Sequence, residues 1–153
     1  GKSKAESAYR RVLEINPEVK VKYVYAFLDE SNYSEIINNS DVVVDALDNI
    51  KTKKFLQEAC EKLNIPLVHG AIGGWYGQIT TVFPGDRTLD MIYKGNEDKG
   101  VEKILGNLPF TASCTASYQS AEVVKLLSKR GNLLRKKVLF IDLLNNESEI
   151  INL

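Results

Sequence analysis

Asp45, Asp48 and Asn49 close the run DVVVDALDN (41–49) and are followed at once by three lysines, Lys51, Lys53 and Lys54. An apolar run that ends in acids and then turns into a helix sets carboxylates at the carboxyl end of a buried strand, where ligands bind in open α/β sheets. Asp48 has two roles open to it. It can cap the helix by accepting hydrogen bonds from the free amides of the first turn, worth about 1 kcal/mol, and pattern alone favours this. Or it can hold Mg²⁺ on a nucleotide's phosphates, because Mg²⁺ takes one or two carboxylates together with phosphate oxygens. The three lysines read either as phosphate contacts or as a solvated helix face.

The glycines Gly70, Gly73, Gly74 and Gly77 do not match GxGxxG. They lead from strand to strand, so no helix N-terminus follows to cradle a phosphate. They read as a tight backbone turn, or as a groove floor over which an extended peptide could pass. His69, the single histidine, is either a general base or a satisfied structural residue. Cys60 and Cys114 have no CxxC partner and read as free, mostly buried thiols.

The elements that must position these residues follow from periodicity. GKSKAESAYRRVLEINP carries Ala5, Ala8, Tyr9, Val12 and Leu13 at helical spacing and stops at Pro17. Val19 to Phe27 alternates polar and apolar residues and predicts a strand. A short helix is expected within 28–39, with Ser31 as its cap. Asp41 to Leu47 reads as a strand covered on both faces. Thr52 to Leu63 predicts a helix with Leu56, Ala59, Cys60 and Leu63 on one stripe, and Ile65 to Val68 a short buried strand. Gly77 to Phe83 is strand-like but follows only a glycine-rich link, so the sheet becomes mixed there. Pro84 to Leu108 reads as a long surface loop with one short helix near 101–105. Phe110 to Lys129 is the strongest helix, expected to approach the sheet through Ala112, Ser113, Ala116, Ser117, Ser120 and Ala121. KKVLFIDLL and ESEIINL close the chain as a hairpin around Asn145 and Asn146.

The composition bounds the rest. The chain has 153 residues, 44% hydrophobic and 26% charged, with 20 basic against 20 acidic side chains. This is an ordinary globular composition with no bulk electrostatic pull toward nucleic acid. No apolar run approaches the roughly 20 residues of a membrane span, and the charged start is not a signal peptide. The expected setting is cytoplasmic, with neither nucleic acid nor membrane as partner.

Taken in order, GKSKAESA, DVVVDALDN with KTK, the helix ending at Cys60, PLVHGA, GQITTVF and SYQSAEVVKLL resemble the ThiF, MoeB and HesA family. These are adenylyltransferases of ubiquitin-like sulfur-carrier proteins and relatives of the ubiquitin-activating enzymes. The resemblance covers nearly the whole chain. It implies an α/β, Rossmann-like three-layer fold with a mixed, mainly parallel sheet ending in a C-terminal hairpin. The expected organisation is one domain over 1–153, lacking the N-terminal nucleotide-binding strand-helix unit.

The activity implied is Mg·ATP-dependent adenylation of the carrier's C-terminal glycine, with release of pyrophosphate. The resemblance makes Lys4 a phosphate contact, Asp48 the Mg²⁺ ligand needed for adenylation with Asn49 beside it, and Lys53 a cofactor contact where the family often has arginine. It places Gly70, Gly77 and Gln78 near the path of the carrier's tail. It implies a homodimer. Zinc is not expected, since two cysteines cannot supply four thiolates. The alternative is a catalytically incomplete member, or fragment, that serves as a dimerisation and carrier-binding module. A nucleotide-dependent oxidoreductase is disfavoured, because no dinucleotide fingerprint is visible.

Overall fold

A computed structural model describes residues 3–94 and 105–153. The chain forms two compact units, Gly1–Ile36 and Ile37–Leu153. In the first, helix α1 (Lys4–Ile15) begins at Ser3, whose side chain accepts from the Glu6 amide. Tyr9 stacks at a tilt on Tyr23, with ring centroids 5.3 Å apart.

The expected strand at 19–27 does not form. Its residues join no β-ladder, and Tyr25 and Phe27 are 82% and 94% exposed. A period-two pattern makes a strand only when a neighbour completes the hydrogen bonds, and no strand among the described residues pairs with it. Ser31 is not a cap either. Its amide and hydroxyl both donate to Asp29 Oδ1 (2.8 and 2.6 Å), forming a turn ahead of α2 (Tyr33–Ile37), which spans the boundary between the units.

The second unit runs β1 (Val43–Val44), α3 (Ile50–Lys62), β2 (Leu67–Gly73), β3 (Tyr76–Val82), α4 (Thr88–Ile92), α5 (Pro109–Ser128), β4 (Lys137–Asp142) and β5 (Glu147–Asn152). The strands form one mixed sheet in the order β1-β2-β3-β4-β5. The α/β fold, the mixed sheet and the closing hairpin agree with expectation. The balance of pairing does not. Among the described residues only β1 and β2 run parallel, and the other three pairings are antiparallel. The link of Gly74 and Trp75 between β2 and β3 is too short for a crossover, so the chain must fold back as a hairpin.

Side-chain alternation divides the sheet into two faces. On one, α5 packs over β2 and β3, with Ile79, Leu134, Leu139 and Ile141 as the buried core and Cys114 and Leu143 against it. On the other, His69 and Gln78 meet Tyr93 at the end of α4, and α4 packs on α3. Helix α4 occupies part of the stretch 84–108 expected to be loop; residues 95–104 of that stretch, which hold most of the short helix expected near 101–105, lie outside the described residues.

Helix α5 approaches the sheet differently from expectation. Ala112, Ser113, Ala116, Ser117, Ser120 and Ala121 are exposed, and the buried stripe is Thr111, Thr115, Gln119 and Glu122. The small residues that permit the close approach are on the strands. A Cβ on Gly70 would lie 2.5 Å from Gln119 Cδ, and one on Gly77 would lie 2.5 Å from Thr115 Oγ1. The polar stripe is hydrogen-bonded to the sheet at three of its four positions. Thr111 Oγ1 donates to Gly74 O (2.8 Å), Gln119 Nε2 to Asp45 O and Val68 O (2.8 and 3.3 Å), and Glu122 Oε2 accepts from Thr81 Oγ1 and the Leu134 amide (2.5 and 2.9 Å).

Candidate active site

The site is built where β1 ends. The Asp45 amide donates to Val68 O (2.9 Å), extending the parallel pairing one residue past Val44. The Asp45 side chain is then turned inward and is wholly buried. Its Oδ1 accepts from the Leu47 amide (2.8 Å), and this Asx turn leads the chain out of the sheet toward α3. Asn49, not Asp48, caps that helix: its Oδ1 accepts from the Thr52 amide (2.8 Å) and the Thr52 hydroxyl (2.7 Å). Asp48 is thereby relieved of the capping role that pattern alone favoured. It stands exposed just ahead of a 13-residue helix, with a 3.4 Å contact from Asn49 Nδ2. A carboxylate there sits in the positive field of the helix N-terminus and remains available to a cation.

Asp48 lines a cavity of about 360 Å³ together with Asp45, Lys53, Gly70, Thr115 and Gln119. The Thr115 hydroxyl is buried and makes no hydrogen bond among the described residues. One accessible carboxylate beside an unmatched buried hydroxyl suits a Mg²⁺ ion held mainly by its ligand's phosphates. Among the described residues no group of three or more His, Cys, Asp or Glu could hold a metal by protein ligands alone.

Lys53, which the resemblance makes a cofactor contact, is 5% exposed. Its ammonium donates to Asp45 Oδ2 (3.0 Å) and Gly70 O (3.1 Å) instead of standing clear in the cavity. A buried carboxylate needs such a partner to remain ionised. His69, with no exposed surface, is the second partner, its Nδ1 lying 2.6 Å from Asp45 Oδ2. Burial alone would raise the Asp45 pKa, but the hydrogen bond from His69, the neighbouring positive charge and the Leu47 amide outweigh it and hold the carboxyl below its ordinary value. Burial moves His69 the other way. Desolvation of the imidazolium, reinforced by the Lys53 charge, exceeds the attraction of Asp45 and keeps the ring neutral at physiological pH. The structural reading of His69 is therefore the one its surroundings support. The Cys60 thiol, pushed up to about 12 by burial and by Asp45, is not a nucleophile. Both cysteines are free.

Of the candidate site residues singled out from the sequence, Asp45, Asp48, Lys53 and Gly70 line this cavity. Gly77 and Gln78 line a second one of about 370 Å³ with Tyr76, Ile92, Tyr93 and Phe140. The two cavities share Ala71, Ile72 and Tyr93 as a common wall. Gly70 and Gly77 also have a packing function, since their missing Cβ atoms are what let α5 close on the sheet. Lys4 lies in the first turn of α1, in the first unit, and is exposed. Sequence reasoning missed Tyr93, assigned to a loop, and Gln119, assigned to no role.

The sequence model of the ThiF family matches residues 1–153. The chain is 38% identical over 157 residues to the SAMP-activating enzyme E1 of Haloferax volcanii, an alignment covering 99% of this chain and 57% of that protein. It is 31% identical over 144 residues to the molybdopterin-synthase adenylyltransferase of Haemophilus influenzae, covering 91% of this chain and 58% of that protein. Among solved structures, E. coli MccB with ATP superposes with a TM-score of 0.75 at 18% identity, over 99% of this chain and 48% of that one. The chain thus spans about half the length of the relatives it matches. The family model over the whole chain shows that the chain belongs to the ThiF family.

Proposed function

We propose that the protein is an adenylyltransferase that uses ATP and Mg²⁺ to activate the C-terminal glycine of a ubiquitin-like sulfur-carrier protein, releasing pyrophosphate. The observation that carries this reading is the division of labour at the start of α3: Asn49 takes the cap, leaving the Asp48 carboxylate accessible at a cavity mouth. The names of two relatives, an activating enzyme E1 and an adenylyltransferase, agree with it.

In this reading the carrier's terminal carboxylate oxygen attacks the α-phosphorus of ATP. An acyl–O–P bond forms, and the bond to the β-phosphate oxygen breaks as pyrophosphate leaves. Mg²⁺, when bound, neutralises charge on the phosphates, and Asp48 is the residue that would hold it. The chain's own contribution is positioning. The α3 N-terminus favours negative charge near Asp48, and the buried Lys53–Asp45 pair fixes the turn from which Asp48 projects. The assignment of Lys4 to the nucleotide phosphates rests on its sequence block. The reading includes a cytoplasmic homodimer; among the described residues no helix is long and apolar enough to cross a membrane.

The test is ATP–pyrophosphate exchange with a candidate carrier. Exchange should depend on carrier and on Mg²⁺ and should fall at least 100-fold in Asp48→Ala, roughly the loss expected when one charge-stabilising group is removed. Exchange unchanged by that substitution refutes the assignment.

A further inference from the structure

The exit of β1 from the sheet is held by a side chain instead of a strand. Strand β1 pairs with β2 at Val43 with Leu67 and at Val44 with Val68, and the Asp45 amide adds one more bond, to Val68 O (2.9 Å). The following rung of a parallel ladder would bring the Gly70 amide to Asp45 O. That rung is not made, since no backbone amide among the described residues donates to Asp45 O. Gln119, on the buried stripe of α5, supplies the donor from outside the sheet. Its Nε2 lies 2.8 Å from Asp45 O and 3.3 Å from Val68 O. Both partners are carbonyl oxygens, which only accept, so the NH₂ group must face them and the carboxamide has one orientation.

The two bonds differ in consequence. Val68 O already accepts from the Asp45 amide, whereas Asp45 O has no other partner among the described residues. Gly70 makes room for the contact, because a Cβ there would lie 2.5 Å from Gln119 Cδ. Lys53 and His69 hold Asp45 by its carboxylate, and neither touches its carbonyl. The carbonyl matters because it sets the plane of the peptide through which the chain leaves β1. Residues 46–48 then bridge two anchors, Asp45 and the capping Asn49, and Asp48 is the last of them. Three residues reach at most about 10 Å, so a rotation of about 10° at Asp45 can carry Asp48 by up to about 1.7 Å. A misplacement of about 1 Å costs roughly 100-fold in a reaction that depends on alignment.

We infer that Gln119 is a positioning residue for Asp48: from α5 it grips the carbonyl at the β1 exit and so aims the Asp48 carboxylate into the cavity that both residues line. The inference rests on the adenylation reading for what Asp48 does there. It adds a determinant of that carboxylate's position on an element remote from it in sequence.

The experiment uses the full-length protein with two substitutions. Gln119→Met keeps the volume and removes the donor; Gln119→Glu keeps the outline and also removes it, so either decides the matter if the other does not fold. Amide hydrogen exchange is followed by NMR. The Leu47 amide, which closes the turn onto Asp45 Oδ1, should exchange at least tenfold faster than in wild type, while amides of β3 and β4 keep their rates. In ATP–pyrophosphate exchange the Mg²⁺ concentration for half-maximal rate should rise at least tenfold, with the KM for the carrier changed less than twofold. In an Asp48→Ala background Gln119→Met should cost less than twofold more, because it acts through Asp48. A residue that merely packs α5 would speed amide exchange throughout the unit and cost the same in both backgrounds. That result, an unchanged Leu47 amide, or an unchanged Mg²⁺ requirement would each overturn the inference. Failure of the adenylation reading appears separately, as a wild type without carrier-dependent exchange whose Leu47 amide still loosens in Gln119→Met.

Discussion

Lys53 decides between two accounts of the site, and Lys53→Met separates them. If the lysine were a phosphate contact, its loss would weaken nucleotide binding and leave the fold alone. The structure dictates the reverse emphasis. The ammonium is buried, 3.0 Å from a carboxylate with no exposed surface, and methionine keeps the stem while removing the charge. Breaking a buried pair from one side costs about 3–5 kcal/mol, because the remaining charge is left without its counter-ion. Asp45 retains the His69 N–H and the Leu47 amide, which argues for the lower half of that range. Gly70 O also loses a donor in a buried setting, which adds about 1 kcal/mol. For a chain of 153 residues, a loss of about 4–5 kcal/mol lowers Tm by roughly 8–20 °C.

Urea unfolding followed by fluorescence measures this, and pH adds a second signature. The Lys53 charge helps depress the His69 pKa. Without it His69 can bind a proton in the folded state and supply the missing counter-ion, so the deficit of Lys53→Met should narrow as pH falls from about 8 toward about 6. Asp45→Asn should recover part of the lost stability in the Lys53→Met background, since the orphaned charge goes too. A loss below about 1 kcal/mol that does not vary with pH, accompanied by weaker nucleotide binding, would refute the buried-pair account.

Two further perturbations test the packing and the titration of the same cluster. Gly70→Ala would place a Cβ 2.5 Å from Gln119 Cδ and 2.7 Å from its Nε2, forcing the side chain off Asp45 O and Val68 O; overpacking and the unmatched Asp45 carbonyl should cost about 2–4 kcal/mol, read by urea unfolding, with part recovered in Gly70→Ala/Gln119→Ala. His69 is held neutral when folded but takes a proton when unfolded, below its ordinary value of 6.5. Stability should therefore be full above that pH and decline below it, by at most about 1.4 kcal/mol per pH unit, and His69→Gln should flatten the slope; a wild-type profile flat from about pH 7 to 5 would contradict the neutral buried ring.

The main elements were legible because their signals are local. The apolar run before Asp45, the stripe of Leu56, Ala59 and Cys60, and the length of α5 each carry their own periodicity. What failed was information held by a neighbour. The stretch 19–27 has a strand's pattern but no described strand pairs with it. The small residues of α5 looked like the contact face, yet the glycines that let helix and sheet meet are Gly70 and Gly77, far away in sequence, so the helix presents Thr115 and Gln119 instead. The cap went to Asn49 because its carbonyl oxygen reaches Thr52, a choice between adjacent Asp and Asn that propensity barely separates. The buried cluster did leave one readable sign. An aspartate inside an otherwise apolar strand is almost never buried alone, and asking what neutralises Asp45 leads to Lys53 and His69, the cation on the following helix and the histidine on the next strand.

That cluster also bears on why the residues are there. A buried ion pair contributes little to stability compared with apolar residues of the same volume, and this unit already has an apolar core between α5 and the sheet. The run from Lys53 through Asp45, His69 and Tyr93 to Gln78 is therefore not needed to hold the fold together. It is concentrated where β1 stops pairing with β2, and it touches both cavities, with Asp45 and Lys53 lining one, Gln78 lining the other and Tyr93 lining both. A polar network of that kind gives orientation at the expense of stability, and orientation is what the proposed reaction, joining a peptide carboxylate to a phosphate, would require of its protein.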